Sequence, residues 1–266
     1  MSQPSEAFAS LHRAGEPLFL PNAWDFASGA VLAQAGYEAI GTTSLGVAAA
    51  AGKPDAAGRT RAETVAVATR LARLPVLLTV DVESGFSDDP EQVADVAEQL
   101  FAVGAVGINL EDGRPDGTLS SIAHHCAKIA AVKSRVPDLF VNARTDVFWL
   151  GSDSTSRPIS EALGRGRAYV AAGADGFYVP GVAGAQVTEV SHGVDAPLNV
   201  LYLPGRDTFS ELAALGAGRV STGSLLVRST LQTVIEMANE ARHGAVPVDP
   251  DRPTYHQVQD LLGEHE

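Results

Sequence analysis

Short apolar runs alternate with longer amphipathic segments along most of the chain. The short runs are rich in Val, Ile, Leu and Phe and fit buried strands, whereas the longer segments repeat apolar residues at helical spacing. The predicted strands are 18–23, 38–44, 76–83, 106–112, 139–146, 176–181, 198–204 and 219–224. The predicted helices are 25–36, 60–73, 90–103, 119–134, 158–172, 183–191, 207–215 and 224–242. Alternation of this kind is typical of α/β folds.

One phrase recurs four times and supports this order of elements. A segment rich in Ala and Leu ends at Gly36, Gly104, Gly173 or Gly216, and a short β-rich run follows each glycine. Glycine caps a helix end well because it accepts a left-handed backbone. Eight strand–helix repeats predict a (β/α)8 barrel of the TIM type. The alternative is an open doubly wound sheet, but no G-x-G-x-x-G phosphate loop follows the first predicted strand.

The character of the chain changes after residue 242. Residues 243–253 (HGAVPVDPDRP) are punctuated by proline, as linkers are, and residues 254–266 (TYHQVQDLLGEHE) fit a short final helix. We therefore predict a catalytic barrel domain over residues 1–242 and a C-terminal helical extension over residues 243–266. Because so short a helix is marginal alone in water, it should pack on the barrel or on a neighbouring subunit.

Composition and charge narrow the classes of protein that fit. The 266 residues carry a formal net charge of −13, which argues against a nucleic-acid binder and against attachment to an anionic membrane surface. No apolar run approaches the ~20 residues that span a bilayer. The N-terminus lacks a signal-peptide pattern, so we expect a cytoplasmic protein. Cys126 is the only cysteine, so an internal disulfide is excluded, and we expect an inert thiol on a helix.

The candidate chemistry lies at the carboxyl ends of the predicted strands, where barrels build their active sites. Strand 76–83 ends in Asp81 and Glu83, whose spacing places both on one side of an extended strand. The next two strands end in Glu111 and Arg144. Three carboxylates at one mouth repel one another unless a cation lies between them, and Mg²⁺ suits such a site. The alternatives are pairing of these acids with nearby lysines or arginines, and pairing of Arg144 with Asp146.

Four stretches, in this order, resemble the isocitrate lyase/phosphoenolpyruvate mutase superfamily. They are PNAWDFASGAVLAQAGYEAIGTTS (21–44), DVESGF (81–86), GINLED (107–112) and VNARTDVF (141–148). The likeness is greatest for the small members, which are 2-methylisocitrate lyase, phosphoenolpyruvate mutase, and the oxaloacetate and phosphonopyruvate hydrolases. The resemblance implies a Mg²⁺-dependent TIM barrel that acts on small anionic 2-oxo or 2-hydroxy acids. It also implies a homo-oligomer, either a tetramer or a dimer, that exchanges a C-terminal helix between neighbours.

The resemblance assigns roles to particular residues. The metal-side carboxylates fall on Asp81, Glu83 and Glu111, which in the family hold Mg²⁺ largely through water, with Mn²⁺ as an alternative ion. The substrate-binding arginine falls on Arg144, and an acid near the reacting bond falls on Asp55. The turn that holds the substrate carboxylate and carbonyl oxygen falls on Thr42, Thr43, Ser44 and Leu45.

The loop after the fourth strand departs from the family pattern. The lyases carry a Lys-Lys-Cys-Gly-His or Lys-Arg-Cys-Gly-His loop there, whereas residues 113–121 (GRPDGTLSS) contain no Cys, Lys or His. The asparagine-bearing loop of the mutase is absent as well. We expect a Mg²⁺-dependent lyase or hydrolase that breaks a C–C bond, or a C–P bond as a variant, next to the substrate's carbonyl or hydroxyl. Its catalytic groups would be Asp55, Arg144 and Thr43. The alternatives are a catalytically silent or metabolite-binding barrel and a phosphoenolpyruvate mutase-like phosphorylmutase.

Overall fold

The computed structural model describes residues 4–150, 157–244, 249 and 251–263. Nine parallel strand segments form one sheet that curls into a barrel, which confirms the predicted fold class. The segments are β1 Leu18–Leu20, β2 Asn22–Ala23, β3 Ala39–Thr42, β4 Leu77–Asp81, β5 Gly107–Glu111, β6 Phe140–Arg144, β7 Gly176–Tyr178, β8 Leu198–Leu201 and β9 Arg219–Ser221. Each predicted strand is present; four are shorter at both ends than the sequence pattern indicates, and three more are shorter at the carboxyl end alone.

The first predicted strand forms two segments because Pro21 interrupts it. Proline has no backbone N–H and cannot donate to a strand ladder. Leu18–Leu20 pairs with β9 on one side, and Asn22–Ala23 pairs with β3 on the other. The carbonyl of Pro21 still accepts a bond from the Gly41 amide at 2.9 Å. One stretch of chain therefore joins both edges of the sheet and brings the ends of the barrel wall together.

Eleven helices surround the barrel in the described part of the chain. They are α1 Pro4–Ser10, α2 Phe26–Gln34, α3 Ser44–Ala50, α4 Arg61–Leu71, α5 Pro90–Ala102, α6 Ile122–Arg135, α7 Arg157–Ala171, α8 Ala185–Gly193, α9 Phe209–Ala214, α10 Leu225–Arg242 and α11 Tyr255–Gly263. Helices α1 and α3 were not expected from the sequence. Helix α1 lies against the amino-terminal end of the barrel, where Phe8 meets the Phe140 ring edge-on at 5.4 Å. Phe8 is the buried residue of this helix, and it joins a second apolar cluster with Leu20, Val106 and Phe140.

The strands separate an apolar shell from a polar barrel interior. Successive strand residues point to opposite faces, and residues such as Ile108 and Leu110 join the large apolar cluster between the sheet and the helices. Asn109 faces inward, where it accepts hydrogen bonds from Asn142 at 2.9 Å and from Arg219 at 3.3 Å. Arg219 is fully buried, and burial lowers its pKa to about 10. A polar column therefore lies directly beneath the open end of the barrel.

The final helix, α11, packs against α2 of the same chain. This contact buries Leu261, while Tyr255 at the other end of the helix stays 74% exposed. Much of the predicted linker, residues 245–248 and 250, lies outside the described residues. The division of the chain at residue 242 stays a prediction. None of the described helices is long and apolar enough to cross a membrane.

Candidate active site

A cavity of about 480 Å³ opens at the carboxyl ends of the strands. Its wall is built from strand ends and from the loops that follow them, as the barrel fold predicts. The lining residues are Asn22, Thr43, Ser44, Leu45, Asp55, Asp81, Asn109, Arg144, Trp149, Tyr178, Pro180, Leu201, Tyr202, Leu203, Ser221, Thr222, Gly223, Ser224 and Arg228. The cavity size falls in the range of small-molecule sites.

Arg144 is the centre of an ion-pair network at the mouth of the barrel. Its Nη1 lies 2.9 Å from Oε2 of Glu111, and its Nε donates to Oδ1 of Asp146 at 2.6 Å. The guanidinium also lies over the Tyr178 ring at 5.5 Å. Arg144 therefore pairs with Asp146, as one alternative predicted, and it pairs with Glu111 at the same time. This double grip holds the guanidinium in one orientation next to Asp81.

The carboxylates around Arg144 are short of positive charge. Burial raises the pKa of Asp81 to about 6, because the charge on Arg144 offsets only part of the desolvation and Asp55 lies near enough to repel. Burial also raises the pKa of Glu111 well above its usual range, against the pull of Arg144. The pKa of Asp146 is raised by burial as well. One guanidinium is thus shared among several acids, and a further cation would stabilise all of them.

The Glu83 side chain does not lie on the same side of the strand as Asp81, although the two-residue spacing predicts that it should. Strand β4 ends at Asp81, and Glu83 adopts a left-handed backbone with φ of 50°, so the two side chains do not continue along one face. Its carboxylate is buried and accepts hydrogen bonds from the Gly58 amide at 2.9 Å and from the Thr60 hydroxyl. Among the described residues, no three His, Cys, Asp or Glu side chains form a ready-made metal cluster. The assignment of Glu83 as a metal-side group stays a prediction.

Asp55 reaches the cavity from the segment of residues 51–60, named here the Asp55 loop. The loop contacts the barrel mouth through Gly58 and Thr60, the two groups that Glu83 binds. Lys53 braces it from the other side, with Nζ donating to the Arg59 carbonyl at 2.9 Å and to Glu63. Asp55 itself is exposed to solvent and lines the cavity. The structure therefore brings Asp55 to the same cavity as Asp81 and Arg144.

In the turn after β3, three residues line the cavity and one is buried beneath it. Thr43, Ser44 and Leu45 line the cavity, whereas Thr42 is buried and its Oγ1 accepts the Asp81 amide at 2.8 Å. Thr42 therefore fixes the end of β4 rather than facing the cavity. Helix α3 starts at Ser44, so the cavity-lining residues belong to its first turn. The helix fits closely because a Cβ at Gly46 would meet Trp24 at 2.5 Å.

Asp112 points away from the cavity, as strand alternation predicts for the neighbour of Glu111. It is fully buried and accepts bonds from the Thr145 hydroxyl at 2.8 Å, the Asp146 amide at 2.9 Å and Arg165 Nη1 at 3.0 Å. Tyr169 donates a fourth bond at 2.6 Å. This network fixes the backbone of Asp146, and through Asp146 the orientation of Arg144.

The loop after β5, residues 113–121, folds back on itself. Gly113 and Leu119 form an isolated antiparallel bridge, and Arg114 donates its amide to the Thr118 carbonyl at 2.9 Å. A side chain at Gly113 would clash with Oδ2 of Asp146, so glycine is required for this approach. The loop is a compact turn beside the mouth and contributes no residue to the cavity wall among those described.

Several lining residues were not expected from the sequence. Asn109 lies two residues before Glu111 on the same face of β5, so the alternation could have identified it. Tyr178 lies within the predicted strand 176–181 and could have been found in the same way. Trp149, Tyr202 and Arg228 come from loops and from helix α10, where no periodic signal marks them.

A parallel barrel whose open end gathers acids around one arginine is the architecture of a TIM-barrel enzyme. The family model described as phosphoenolpyruvate phosphomutase matches residues 8–242, and the chain belongs to this family. It is therefore an enzyme of the phosphoenolpyruvate mutase/isocitrate lyase superfamily. Members of this superfamily cleave or rearrange C–C and C–P bonds with Mg²⁺.

Similar proteins cover most of the chain. The uncharacterized protein Rv1998c of Mycobacterium tuberculosis is 38% identical over 98% of this chain and 97% of its own length. The oxaloacetate decarboxylase of Ectopseudomonas mendocina is 33% identical over 74% of this chain and 70% of its own length. A solved phosphonopyruvate hydrolase, in complex with oxalate and Mg²⁺, covers 99% of this chain and 96% of its own with a TM-score of 0.84. At 24% identity, that structure supports the fold alone.

Proposed function

We propose that this enzyme is a Mg²⁺-dependent lyase or hydrolase of a small 2-oxo or 2-hydroxy acid. It breaks the C–C bond next to the carbonyl or hydroxyl and leaves an enolate-like product. The observation that carries the proposal is the charge imbalance around Arg144, where burial raises the pKa values of Asp81 and Glu111. Such a mouth accepts a cation together with an anionic substrate. Similar proteins of named activity, such as the oxaloacetate decarboxylase of Ectopseudomonas mendocina, act on acids of this class.

The residues present fit Mg²⁺. This ion takes one or two carboxylates and keeps its other positions for water and substrate, so a closed set of three protein ligands is not required. Asp81 and Glu111 would hold the ion, with Glu83 in a more remote position because its carboxylate is engaged by Gly58 and Thr60. When bound, Mg²⁺ would act as a Lewis acid toward the substrate's carboxylate and 2-oxygen. Mn²⁺ would satisfy the same oxygen ligands.

Arg144 would orient the substrate's carboxylate. Its described contacts use Nη1 and Nε, so Nη2 is available on the edge of the planar fork. Because Glu111 and Asp146 already hold the guanidinium, the Arg144 side chain loses little conformational freedom when substrate binds. Fixed orientation of a reacting group is a large part of catalysis. The guanidinium therefore acts as a positioned anion-binding group rather than as an acid or base.

Asp55 and the turn after β3 would handle the proton and the developing negative charge. Asp55 is the cavity-lining acid that projects from a loop, where it can accept or return a proton at the carbon released by bond cleavage. Thr43, at the start of α3, would stabilise the enolate oxygen together with its neighbours Ser44 and Leu45. Cys126, the only thiol, lies on α6 and takes no part in the cavity wall, so this chain does not use the cysteine of the related lyases.

Turnover of four acids, each with and without Mg²⁺, tests the proposal. The panel is oxaloacetate, 2-methylisocitrate, phosphonopyruvate and malate. We expect metal-dependent cleavage of at least one C–C substrate, and loss of that activity in Asp81→Asn and Arg144→Gln. Asp116→Asn is the matched control, because Asp116 is an exposed acid on the turn beside the mouth and its described hydrogen bonds go to Thr118. Activity that persists in Asp81→Asn and Arg144→Gln would contradict the proposal.

The same panel separates the two alternatives. Exclusive rearrangement of phosphonopyruvate would favour a phosphorylmutase. Binding of oxalate with Mg²⁺ but no turnover of any acid would favour a catalytically silent or metabolite-binding barrel, for which the short, self-contained loop 113–121 is the supporting feature.

We further propose that the enzyme is a homo-oligomer, a tetramer or a dimer. Helix α10 leaves Leu231, Val234 and Ile235 more than half exposed, at 55%, 60% and 58%, and Tyr255 at the start of α11 is also exposed. Such a band on consecutive helix turns suits contact with another copy. Sedimentation of the full chain should give a mass above that of the monomer, and Val234→Asp together with Ile235→Asp should lower it. A cytoplasmic location stays a prediction, which fractionation of cells would test.

A further inference from the structure

Arg219 lies inside the barrel beneath the cavity and is fully buried. It belongs to β9, and its Nη2 donates to Oδ1 of Asn109 on β5 at 3.3 Å. Strands β6, β7 and β8 separate β9 from β5 along the sheet, so the guanidinium reaches across the barrel interior. Its Nε and Nη1 have no hydrogen-bond partner among the described residues, and no described acid forms an ion pair with it.

An unpaired charge at this position does not favour the stability of the fold. Burial lowers the pKa of Arg219 to about 10, so the guanidinium stays charged at neutral pH. Replacement of buried charged groups by apolar side chains of similar size is often neutral or stabilising. Stability alone therefore does not account for arginine here. The one described hydrogen bond of its side chain leads to Asn109, which lines the cavity.

Two donors meet on one atom of the Asn109 side chain. Asn142 Nδ2 donates to Asn109 Oδ1 at 2.9 Å, and Arg219 Nη2 donates to the same oxygen. Two paired amides can both rotate by half a turn and exchange their donor and acceptor. A guanidinium has five donors and no acceptor, so the atom that faces Arg219 has to be the oxygen. Arg219 therefore fixes which end of the Asn109 amide faces the barrel interior.

The other end of this amide is left for the cavity. Asn109 lines the cavity, and its Nδ2 donates to no described residue. Parallel pairing places Asn109 beside Asp81 in register, next to the position proposed for the metal and for the substrate's 2-oxygen. The charge on Arg219 also polarises the amide through Oδ1, which makes Nδ2 a stronger donor. Preorganised donors of this kind stabilise negative charge that develops during a reaction.

We propose that Asn109 donates a hydrogen bond from Nδ2 to the substrate's 2-oxygen, and that Arg219 is the positioning residue that holds the amide in this orientation. The inference rests on the proposed function, since it assumes that a 2-oxo or 2-hydroxy acid binds beside Asp81. Asn109 contacts substrate, whereas Arg219 acts through Asn109 and is not one of the residues that line the cavity.

Calorimetry and thermal unfolding of the full chain test this assignment. Oxalate is the probe, because it resembles the flat, negatively charged enolate of a 2-oxo acid, and it is titrated at saturating Mg²⁺. Mg²⁺ is titrated alone in a separate experiment. The variants are Arg219→Met, Arg219→Lys and Asn109→Asp. The control is Arg167→Met, which removes an exposed arginine of α7 that donates to the Gly193 carbonyl.

We expect Arg219→Met to weaken oxalate binding by about threefold to tenfold, the range for loss of one hydrogen bond between neutral groups. The affinity for Mg²⁺ alone should not change. The unfolding temperature of the metal-free protein should stay the same or rise, because a buried unpaired charge is removed. Arg219→Lys should recover part of the oxalate affinity, since an ammonium also has donors only.

Asn109→Asp should weaken oxalate binding further, by about tenfold to hundredfold, because the hydrogen bond that it removes is made to a charged ligand. This substitution keeps the oxygen that Arg219 binds and replaces the cavity-facing N–H donor with an anionic oxygen. Arg167→Met should leave the affinities for oxalate and for Mg²⁺ unchanged.

Four results would overturn the inference, and each identifies a different error. If Arg219→Met binds oxalate as tightly as the wild type, Arg219 does not position the amide. If Asn109→Asp keeps the oxalate affinity, Nδ2 does not contact the ligand. If Arg219→Met fails to fold, or loses stability and both affinities together, the role of Arg219 is structural. In these three cases the proposed function stands, whereas failure of the wild type to bind oxalate with Mg²⁺ ends the proposed function and the inference with it.

Discussion

Glu83 provides the sharpest test of how the site is built, because its carboxylate holds a loop instead of facing the cavity. It accepts the Gly58 amide at 2.9 Å and the Thr60 hydroxyl, and both donors belong to the Asp55 loop. The substitution Glu83→Gln keeps the size of the side chain but removes one acceptor oxygen. Its amide nitrogen would face a donor, so one of the two bonds is lost and a buried group is left unpaired.

The size of the effect follows from these contacts. A hydrogen bond to a charged group contributes about 1.5–3 kcal/mol, and Glu83 is only 2% exposed, so solvent replaces little of it. If the loss is confined to the loop, local opening becomes roughly tenfold to hundredfold more frequent. Asp55 would then spend more time away from the reacting bond. We expect kcat to fall while Mg²⁺ affinity changes little.

Hydrogen exchange and calorimetry together measure this prediction. Exchange of the amides of residues 51–60, Gly58 above all, should accelerate in Glu83→Gln and stay unchanged in Glu98→Gln, an exposed acid on α5. Calorimetry of Mg²⁺ binding should show a larger loss for Asp81→Asn than for Glu83→Gln. Unchanged exchange in the loop would refute the anchoring role. Equal losses of Mg²⁺ affinity would show instead that Glu83 acts on the metal side.

Three further predictions concern stability, pH and the thiol. Asp112→Asn should lower the free energy of unfolding, measured in urea, by about 3 kcal/mol, because it leaves the buried Arg165 beside a neutral group. Glu161→Gln removes the exposed partner of Arg165 and should lower the same free energy by less than about 1 kcal/mol. The metal-free protein should lose stability as pH rises from about 4 to about 6. The pKa of Asp81 is 3.8 in the unfolded chain and about 6 in the folded one, so in this range the folded form holds a proton that the unfolded form has released. In Asp81→Asn, the free energy of unfolding should depend less steeply on pH over this range. Alkylation of Cys126, whose thiol pKa is raised by burial, should leave turnover unchanged, and loss of activity would show that the thiol matters.

The alternation of apolar and polar residues was enough to predict the barrel and the end of it that holds the site. Asp81, Glu111 and Arg144 end adjacent strands, and parallel pairing places Glu111 beside Arg144 in register. The period of two fixes which residues face inward, and for this reason Asp112, the neighbour of Glu111, faces away from the cavity. These positions follow from backbone geometry, which local sequence encodes strongly.

The turns could not be predicted in the same way. Glu83 leaves the strand through a left-handed conformation, which a non-glycine residue adopts only when its surroundings impose it. Those surroundings are Gly58 and Thr60, from a loop more than twenty residues earlier in the chain. Helix α3 was not expected from the sequence, because its seven residues are too few for a periodic signal. Arg228 lies on a helix whose pattern shows nothing of what its first turn faces.

The two acids of the Asp-x-Glu motif, although only two residues apart, meet opposite electrostatic conditions. Glu83 is buried with two hydrogen-bond donors, so its charge is satisfied within the protein and helps to fix the Asp55 loop. Asp81 shares one guanidinium with Glu111 and Asp146, and burial raises its pKa to about 6. A carboxylate left in that state weakens the free protein, since burial of an incompletely paired charge is costly. The same deficit is what attracts a cation and an acidic substrate, so the mouth is suited to binding at the expense of stability.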